Sequence, residues 1–101
     1  MLTIATALTR LPAIDRIPAA IAICRADPTA IGAAYPSLEL RVASARLGHV
    51  DPEREHEWEA AACELELAYQ RWLAAMGDAT LPPTMQATLA NLATVLAEGT
   101  R

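Results

Sequence analysis

The residues best suited to metal chemistry lie at the start of an acidic segment. Glu53 and His56 are three positions apart. On a helix this spacing places both side chains on one face, and di-iron helical bundles use such a pair as ligands. A complete site needs carboxylates from other helices, and the only glutamates outside the segment are Glu39 and Glu98. Glu53 and His56 are therefore a minor metal-binding alternative to a solvated helix start, and we expect no cofactor.

Other catalytic arrangements have less support. His56, Glu59 and Cys63 would also share a helix face, but three ligands from one helix make poor tetrahedral zinc geometry. A nucleophile needs a base within hydrogen-bond reach. The two histidines, His49 and His56, flank one predicted helix start, and the chain has no phosphate-binding loop or dinucleotide fingerprint. We predict that the chain is not an enzyme by itself, with an accessory role in a larger enzyme left open.

A possible nucleic-acid site lies in the segment from Ile17 to Leu47, which offers short predicted helices with tight connections and ends in the predicted helix 36–47. This segment carries serines and arginines, and helix-turn-helix domains use such side chains on a short recognition helix. Arg41 and Arg46 are the candidate DNA contacts of a dimeric regulator. Against this, the net charge is −4, Glu39 would repel phosphate, and phosphate neutralisation dominates most nucleic-acid affinity. DNA binding is therefore the alternative function.

One long helix, predicted from about residue 52 to 76, organises the chain. Asp51 is a suitable N-cap, Pro52 suits the first helical position, and Gly77 is expected to end the helix in a left-handed conformation. At 1.5 Å per residue its length would be about 37 Å. Its apolar residues alternate four and three apart, as in a coiled-coil seam. They are Trp58, Ala62, Leu65, Tyr69, Trp72 and Met76.

This seam has two interpretations that the sequence leaves open. It either faces the domain's own core or forms part of a subunit interface, because a small domain buries a limited fraction of its surface alone. Small residues beside the seam would allow another helix to approach closely, and two leucines off the seam would fit a second contact face. These residues are Ala61, Ala68 and Ala75, with Leu67 and Leu73.

The remaining pattern predicts an all-α fold, a small helical bundle of four to five helices in a single domain spanning residues 1–101. No segment shows sustained alternation with β-branched residues, so we expect no sheet. The long central helix should pair antiparallel with a C-terminal helix, since the connection between them is short. The other predicted segments are 3–11 capped by Thr3, a helix from Asp15 to Ala26, a short helix at 29–34, 36–47 ended by Gly48, and about 83–97.

The composition bears on whether the protein spans a membrane and on where in the cell it is expected. Hydrophobic residues make up 53% of the chain, with no apolar run near the roughly 20 residues of a membrane span. No secretory signal is evident and the two cysteines form no disulfide framework, so we expect a cytoplasmic protein with no membrane association. Eight arginines and no lysine suggest a GC-rich bacterial or phage genome. Residues 1–50 have five arginines against three acids, whereas residues 51–77 have two against seven.

The leading functional hypothesis is a small protein–protein interaction module that acts as an adaptor, inhibitor or accessory subunit. We expect it to associate with itself through its long helix, because aromatic residues are frequent interface anchors and both tryptophans lie on the seam. The expected partner is protein, in the first instance a second copy of the chain.

Overall fold

The structure is a computed structural model that describes residues 2–26, 30–81 and 85–87. These residues form four α helices: α1 (Ile4–Thr9), α2 (Ala13–Ala26), α3 (Tyr35–His49) and α4 (Glu55–Met76). Residues 85–87 are helical as well. In the described ranges, β pairing is limited to one isolated antiparallel bridge between Thr3 and Thr80. The predicted all-α fold is confirmed at this level.

The first two helices differ in how closely they follow their predicted starts. Thr3 caps α1 as predicted, because its Oγ1 accepts a hydrogen bond of 3.2 Å from the Thr6 N–H. The predicted start of α2 at Asp15 is wrong, since the helix begins at Ala13 and Asp15 lies in its first turn. Pro18 is inside α2, where it removes one backbone donor from the helix.

The segment before α3 is not a helix over residues 30–34, which form turns and a bend. The predicted short helix is therefore wrong for these residues, and its first residue lies outside the described ranges. α3 then begins at Tyr35, within one residue of the predicted start. Gly48 does not end α3, which continues to His49, because this glycine keeps a negative φ.

The long helix has the predicted end but a later start. α4 begins at Glu55, because Asp51 caps a separate turn in which its Oδ1 accepts the Glu53 N–H at 3.0 Å. The predicted left-handed Gly77 is also wrong: its φ is −61° and its ψ is −32°, and its N–H bonds the Leu73 carbonyl at 2.8 Å. A Cβ at Gly77 would collide with that carbonyl and lie 3.3 Å from the Ala5 Cβ. The close approach of the Leu73 carbonyl therefore favours glycine here, and the nearby Ala5 of α1 leaves little extra room.

α3 and α4 form an antiparallel helical hairpin, with Glu39 facing Arg71 near one end and Arg46 facing Glu64 near the other. α1 and α2 pack across this hairpin. The core between them is built from buried aliphatic residues and one large aromatic pair; its largest fully buried members are Trp72, Ile4, Leu8, Ile23, Leu40 and Leu81.

Three long-range backbone bonds tie the start of α1 to the segment that follows α4. The Ile4 N–H donates to the Ala79 carbonyl at 3.0 Å, and the Ala5 N–H donates to the Gly77 carbonyl at 2.9 Å. The Leu81 N–H donates to the Leu2 carbonyl at 2.9 Å. The first two bonds satisfy helix-start donors that have no partner within α1 itself, and the third extends the pairing to Leu81.

The predicted C-terminal helix and its antiparallel pairing with α4 lie almost wholly outside the described residues. Of that segment, Met85 is buried in the core. Among the described helices, none is both long enough and apolar enough to cross a membrane.

Candidate protein interaction surface

The predicted seam divides into a buried part and an exposed part. Trp72 and Tyr69 are buried in the core, and Leu65 and Met76 are half-buried against it. Ala62 is half-buried, while Trp58 is 41% exposed. Two of the three aromatic residues of the seam, Tyr69 and Trp72, are thus within the domain's own core.

A buried hydrogen-bond chain explains the position of Trp72. Its Nε1–H donates to the Ser37 Oγ at 2.9 Å, and that hydroxyl donates to the Ile31 carbonyl at 2.6 Å. Ser37 is fully buried near the start of α3. A buried indole N–H needs an acceptor, and here one serine both accepts this bond and fixes the turn before α3.

Tyr69 completes the aromatic pair on α4. Its ring lies 6.5 Å from that of Trp72, centroid to centroid, with an interplanar angle of 21°. Burial raises the pKa of the Tyr69 hydroxyl above its ordinary value, and the positive charge of Arg16 opposes this shift. Arg16 also donates to the Leu11 carbonyl at 3.2 Å, so it closes the connection between α1 and α2.

Beside α4, the hairpin leaves a row of apolar side chains in solvent. Tyr35, Leu38 and Val42 lie on one side of α3, and they are 75%, 46% and 51% exposed. Leu67 on α4 is 55% exposed. Together they surround a hollow of about 490 Å³ between the two helices, which we call the α3–α4 groove. Its floor is formed by Ala43 and Ala68, which are buried.

Charged side chains of both signs border this groove. Arg71 pairs with Glu39, and Arg46 lies 3.8 Å from Glu64. All four residues line the hollow, so its walls carry two positive and two negative charges. The groove is locally neutral in a chain whose net charge is −4.

The groove continues toward the connection between α3 and α4. A second open hollow of about 620 Å³ is lined by His49 and Val50 on one side and by Ala60 and Ala61 on the other. Val42 and Arg46 line both hollows, so the two form one continuous surface along α3. Small side chains on α4 leave this part of the surface open to another helix.

The spacing of apolar residues in the sequence carries a signal for this surface. Tyr35, Leu38 and Val42 are spaced three and four apart, which is a complete helical stripe. Leu40 and Ala43 form a different stripe on the same helix, and these two residues are buried. The core covers only one of the two apolar stripes on α3, so the other stripe remains on the surface.

The metal-site alternative lacks its structural premise. Glu53 lies in the turn before α4, so it is not on a helical face with His56, and both side chains are exposed. Glu59 and Cys63 are exposed on α4 itself. Over residues 2–26, 30–81 and 85–87, no three histidine, cysteine or acidic side chains are grouped to hold a metal ion.

The DNA-binding alternative has its arginines on the surface. Arg41 and Arg46 are both exposed on α3. Arg46 faces Glu64 across the groove, and Glu39 lies on the same stretch of α3. The acidic neighbours reduce the positive potential that a phosphate backbone would require.

The two cysteines occupy different environments. Cys63 is exposed, whereas Cys24 is buried beside the Ser37 and Trp72 network, and neither forms a disulfide. Burial raises the pKa of the Cys24 thiol above its ordinary value of 9.0, against smaller opposing effects from Ser37, Arg41 and Trp72. Cys24 therefore acts as a small apolar core residue.

Comparison of the chain with protein families, with curated proteins and with solved structures finds no match.

Proposed function

We propose that this protein is a small protein–protein interaction module that binds through the α3–α4 groove and associates with itself there. The observation that carries the proposal is the cluster of four exposed apolar side chains around one hollow: Tyr35, Leu38, Val42 and Leu67. Scattered exposed apolar residues are ordinary, but a contiguous patch bordered by polar residues is typical of a binding surface.

The composition of the groove also resembles that of a protein interface. It has an aromatic ring and aliphatic side chains at the centre and arginine–glutamate pairs at the edge. Interfaces commonly combine an apolar centre containing tyrosine and arginine with a polar rim. The role that fits this surface is an adaptor, inhibitor or accessory subunit.

The long helix keeps a part in this proposal, but through other residues than its aromatic seam. Leu67 projects into the groove, while Tyr69 and Trp72 serve the core. Trp58, at the start of α4, is also exposed but is not among the residues that line the groove. We therefore propose that α4 takes part in self-association through the face that carries Leu67.

The test is the solution mass by light scattering over a range of protein concentrations. We expect a mass near twice 10.8 kDa for the natural sequence and a shift toward 10.8 kDa for Leu67→Glu. The matched control is Ile14→Glu, because Ile14 is 84% exposed on α2 and does not line the groove. A natural chain that stays monomeric at every concentration would contradict self-association.

Duplex DNA binding through Arg41 and Arg46 has less support, since acidic residues share this surface. A fluorescence titration of labelled duplex DNA at low salt compares the two functions. Salt-sensitive binding that is lost in Arg41→Ala and Arg46→Ala variants would favour the regulator over our proposal.

We also propose a cytoplasmic location for the module. It is supported by two cysteines without a disulfide, one of them exposed. Fractionation of cells that produce the full-length protein would test this placement.

A further inference from the structure

We propose that the occupant of the α3–α4 groove is a second copy of this chain, placed by a two-fold axis with α3 antiparallel to α3 of the partner. The inference rests on the proposed self-association and adds the orientation of the two copies and the contacts between them. In this arrangement each copy inserts its α3 stripe into the groove of the other.

The first argument is that the surface matches itself. An isologous interface needs one patch that provides both the insert and the recess. Here Tyr35, Leu38 and Val42 form an apolar ridge, and the recess between α3 and α4 lies directly beside it. Burial of one copy's ridge in the other's recess removes both apolar surfaces from water.

The second argument is electrostatic. Two copies with a net charge of −4 repel each other at most orientations. The groove walls are an exception, because they carry two arginines and two glutamates. A neutral groove in an acidic chain favours a copy of itself, whereas a strongly basic partner would be drawn to the acidic start of α4.

The third argument fixes the orientation. On α3, Glu39 and Arg46 lie at equal distances from a midpoint between Val42 and Ala43. A two-fold axis at that midpoint places Glu39 of each copy level with Arg46 of the other, so two opposite-charge pairs form across the interface. A parallel arrangement would instead place like charges level with each other. Antiparallel α3 helices also align their dipoles favourably.

The same axis gives Tyr35 a contact site. An antiparallel partner brings Tyr35 level with Val50 at the far end of α3. That end is the second hollow, lined by Val42, His49 and Val50. The exposed Tyr35 ring would therefore pack against this second hollow of the partner.

Complementary charge reversal tests the inference. We expect Glu39→Arg and Arg46→Glu each to raise the dimer dissociation constant about tenfold or more, since each homodimer then has like charges at both contacts. An equimolar mixture of the two variants should regain a mass near twice 10.8 kDa, because a mixed dimer restores both opposite-charge contacts.

This mixture separates contacts between copies from contacts within a chain. Glu39→Arg places like charges opposite Arg71, and Arg46→Glu does so opposite Glu64. Mixing the two chains leaves these intrachain pairs unchanged, so a recovered mass reports the interface alone. Far-UV circular dichroism of each variant verifies that it is folded.

A second measurement does not depend on charge. In a Cys63→Ser background, Val42→Cys should be cross-linked to its own copy by a short bis-maleimide, because Val42 lies beside the two-fold axis. Ile14→Cys in the same background is the matched control, as the Ile14 side chain is exposed but does not line the groove.

Two results would overturn the inference while leaving the proposed function intact. In the first, the natural chain is a dimer and Leu67→Glu dissociates it, but the mixture of the Glu39→Arg and Arg46→Glu variants does not regain the mass of a dimer. The other is cross-linking that is no faster at Val42→Cys than at Ile14→Cys. A monomeric natural chain, in contrast, would remove the inference together with the proposed self-association.

Discussion

The indole Nε1–H of Trp72 donates a hydrogen bond of 2.9 Å to the Oγ of Ser37, which lies 35 positions earlier in the chain. Both residues are fully buried, and the Ser37 hydroxyl donates its own hydrogen bond to the Ile31 carbonyl. This relationship joins α3, α4 and the turn before α3 at one point. It also decides which part of the predicted seam belongs to the core.

Loss of the Ser37 hydroxyl should destabilise the fold. Ser37→Ala leaves the Trp72 N–H buried without its acceptor, and we expect the free energy of unfolding to fall by about 1–3 kcal/mol. Urea unfolding followed by far-UV circular dichroism measures the change. Ser44→Ala is the control, as Ser44 lies on the same helix but is less buried. Equal effects of the two substitutions would show that the hydrogen-bond chain is not stabilising.

The two tryptophans should respond very differently to truncation. Trp72→Ala opens a cavity in the core, and we expect it to lower the free energy of unfolding by about 3–5 kcal/mol. Trp58→Ala removes a 41% exposed ring, for which we expect about 0.5 kcal/mol. Thermal unfolding of both variants provides the comparison. Similar melting temperatures for the two would contradict the burial of Trp72.

Replacing the two described glycines near helix ends by alanine should change the free energy of unfolding in opposite directions. Gly77→Ala forces a Cβ against the Leu73 carbonyl and Ala5, and we expect a loss of about 1–3 kcal/mol. Gly48→Ala adds a Cβ that meets nothing within 4 Å inside α3, and we expect a gain of about 0.5–1 kcal/mol. Chemical denaturation of the pair measures both changes against the natural chain. A stabilised Gly77→Ala variant would mean that α1 does not pack closely at this point.

The thiols should differ in reactivity, and stability should fall at alkaline pH. A thiol reagent should label exposed Cys63 rapidly and buried Cys24 only after unfolding. In the unfolded chain the Cys24 thiol ionises near 9.0, whereas burial raises its pKa in the folded state. The unfolded state then holds fewer protons, so the free energy of unfolding decreases as the pH rises above about 9.

Denaturation curves at pH 8 and pH 10 measure this loss, and Cys24→Ala should reduce it. Burial also raises the pKa of the Tyr69 hydroxyl above 10.0, so a further decrease of the same sign should remain in that variant at higher pH. Rapid labelling of two thiols in the folded protein would contradict the buried position of Cys24.

Local sequence signals predicted where the helices lie more accurately than where each helix begins and ends. Thr3 caps α1 as predicted, because it directly precedes the apolar stripe of that helix and its hydroxyl reaches the Thr6 N–H. Asp51 has the same local chemistry, but its carboxylate caps an independent turn and α4 starts at Glu55. Whether such a turn joins the helix depends on backbone geometry that the residue types do not specify.

The division of the apolar residues between core and surface required tertiary information. The four-three spacing marks Trp58 and Trp72 as equivalent, and only the packing of α1 and α2 across the hairpin distinguishes them. Gly77 is a similar case: an added Cβ would collide with the Leu73 carbonyl of the preceding turn, and it would also crowd Ala5, a residue distant in sequence. The α3 stripe was readable from spacing, but its exposure depends on which of two stripes the core covers.

The backbone bonds between α1 and residues 77–81 have a consequence for how the molecule opens. α1 contains only six residues, too few for a helix to persist alone in water. Its first donors, at Ile4 and Ala5, are bonded to carbonyls beyond the end of α4. The start of α1 therefore cannot fray by itself while those bonds hold. Once α4 and the segment after it have unfolded, the Ile4 and Ala5 donors lose their acceptors. In native-state hydrogen exchange, the Ile4 and Ala5 amides should open together with the Leu81 amide as one cooperative unit.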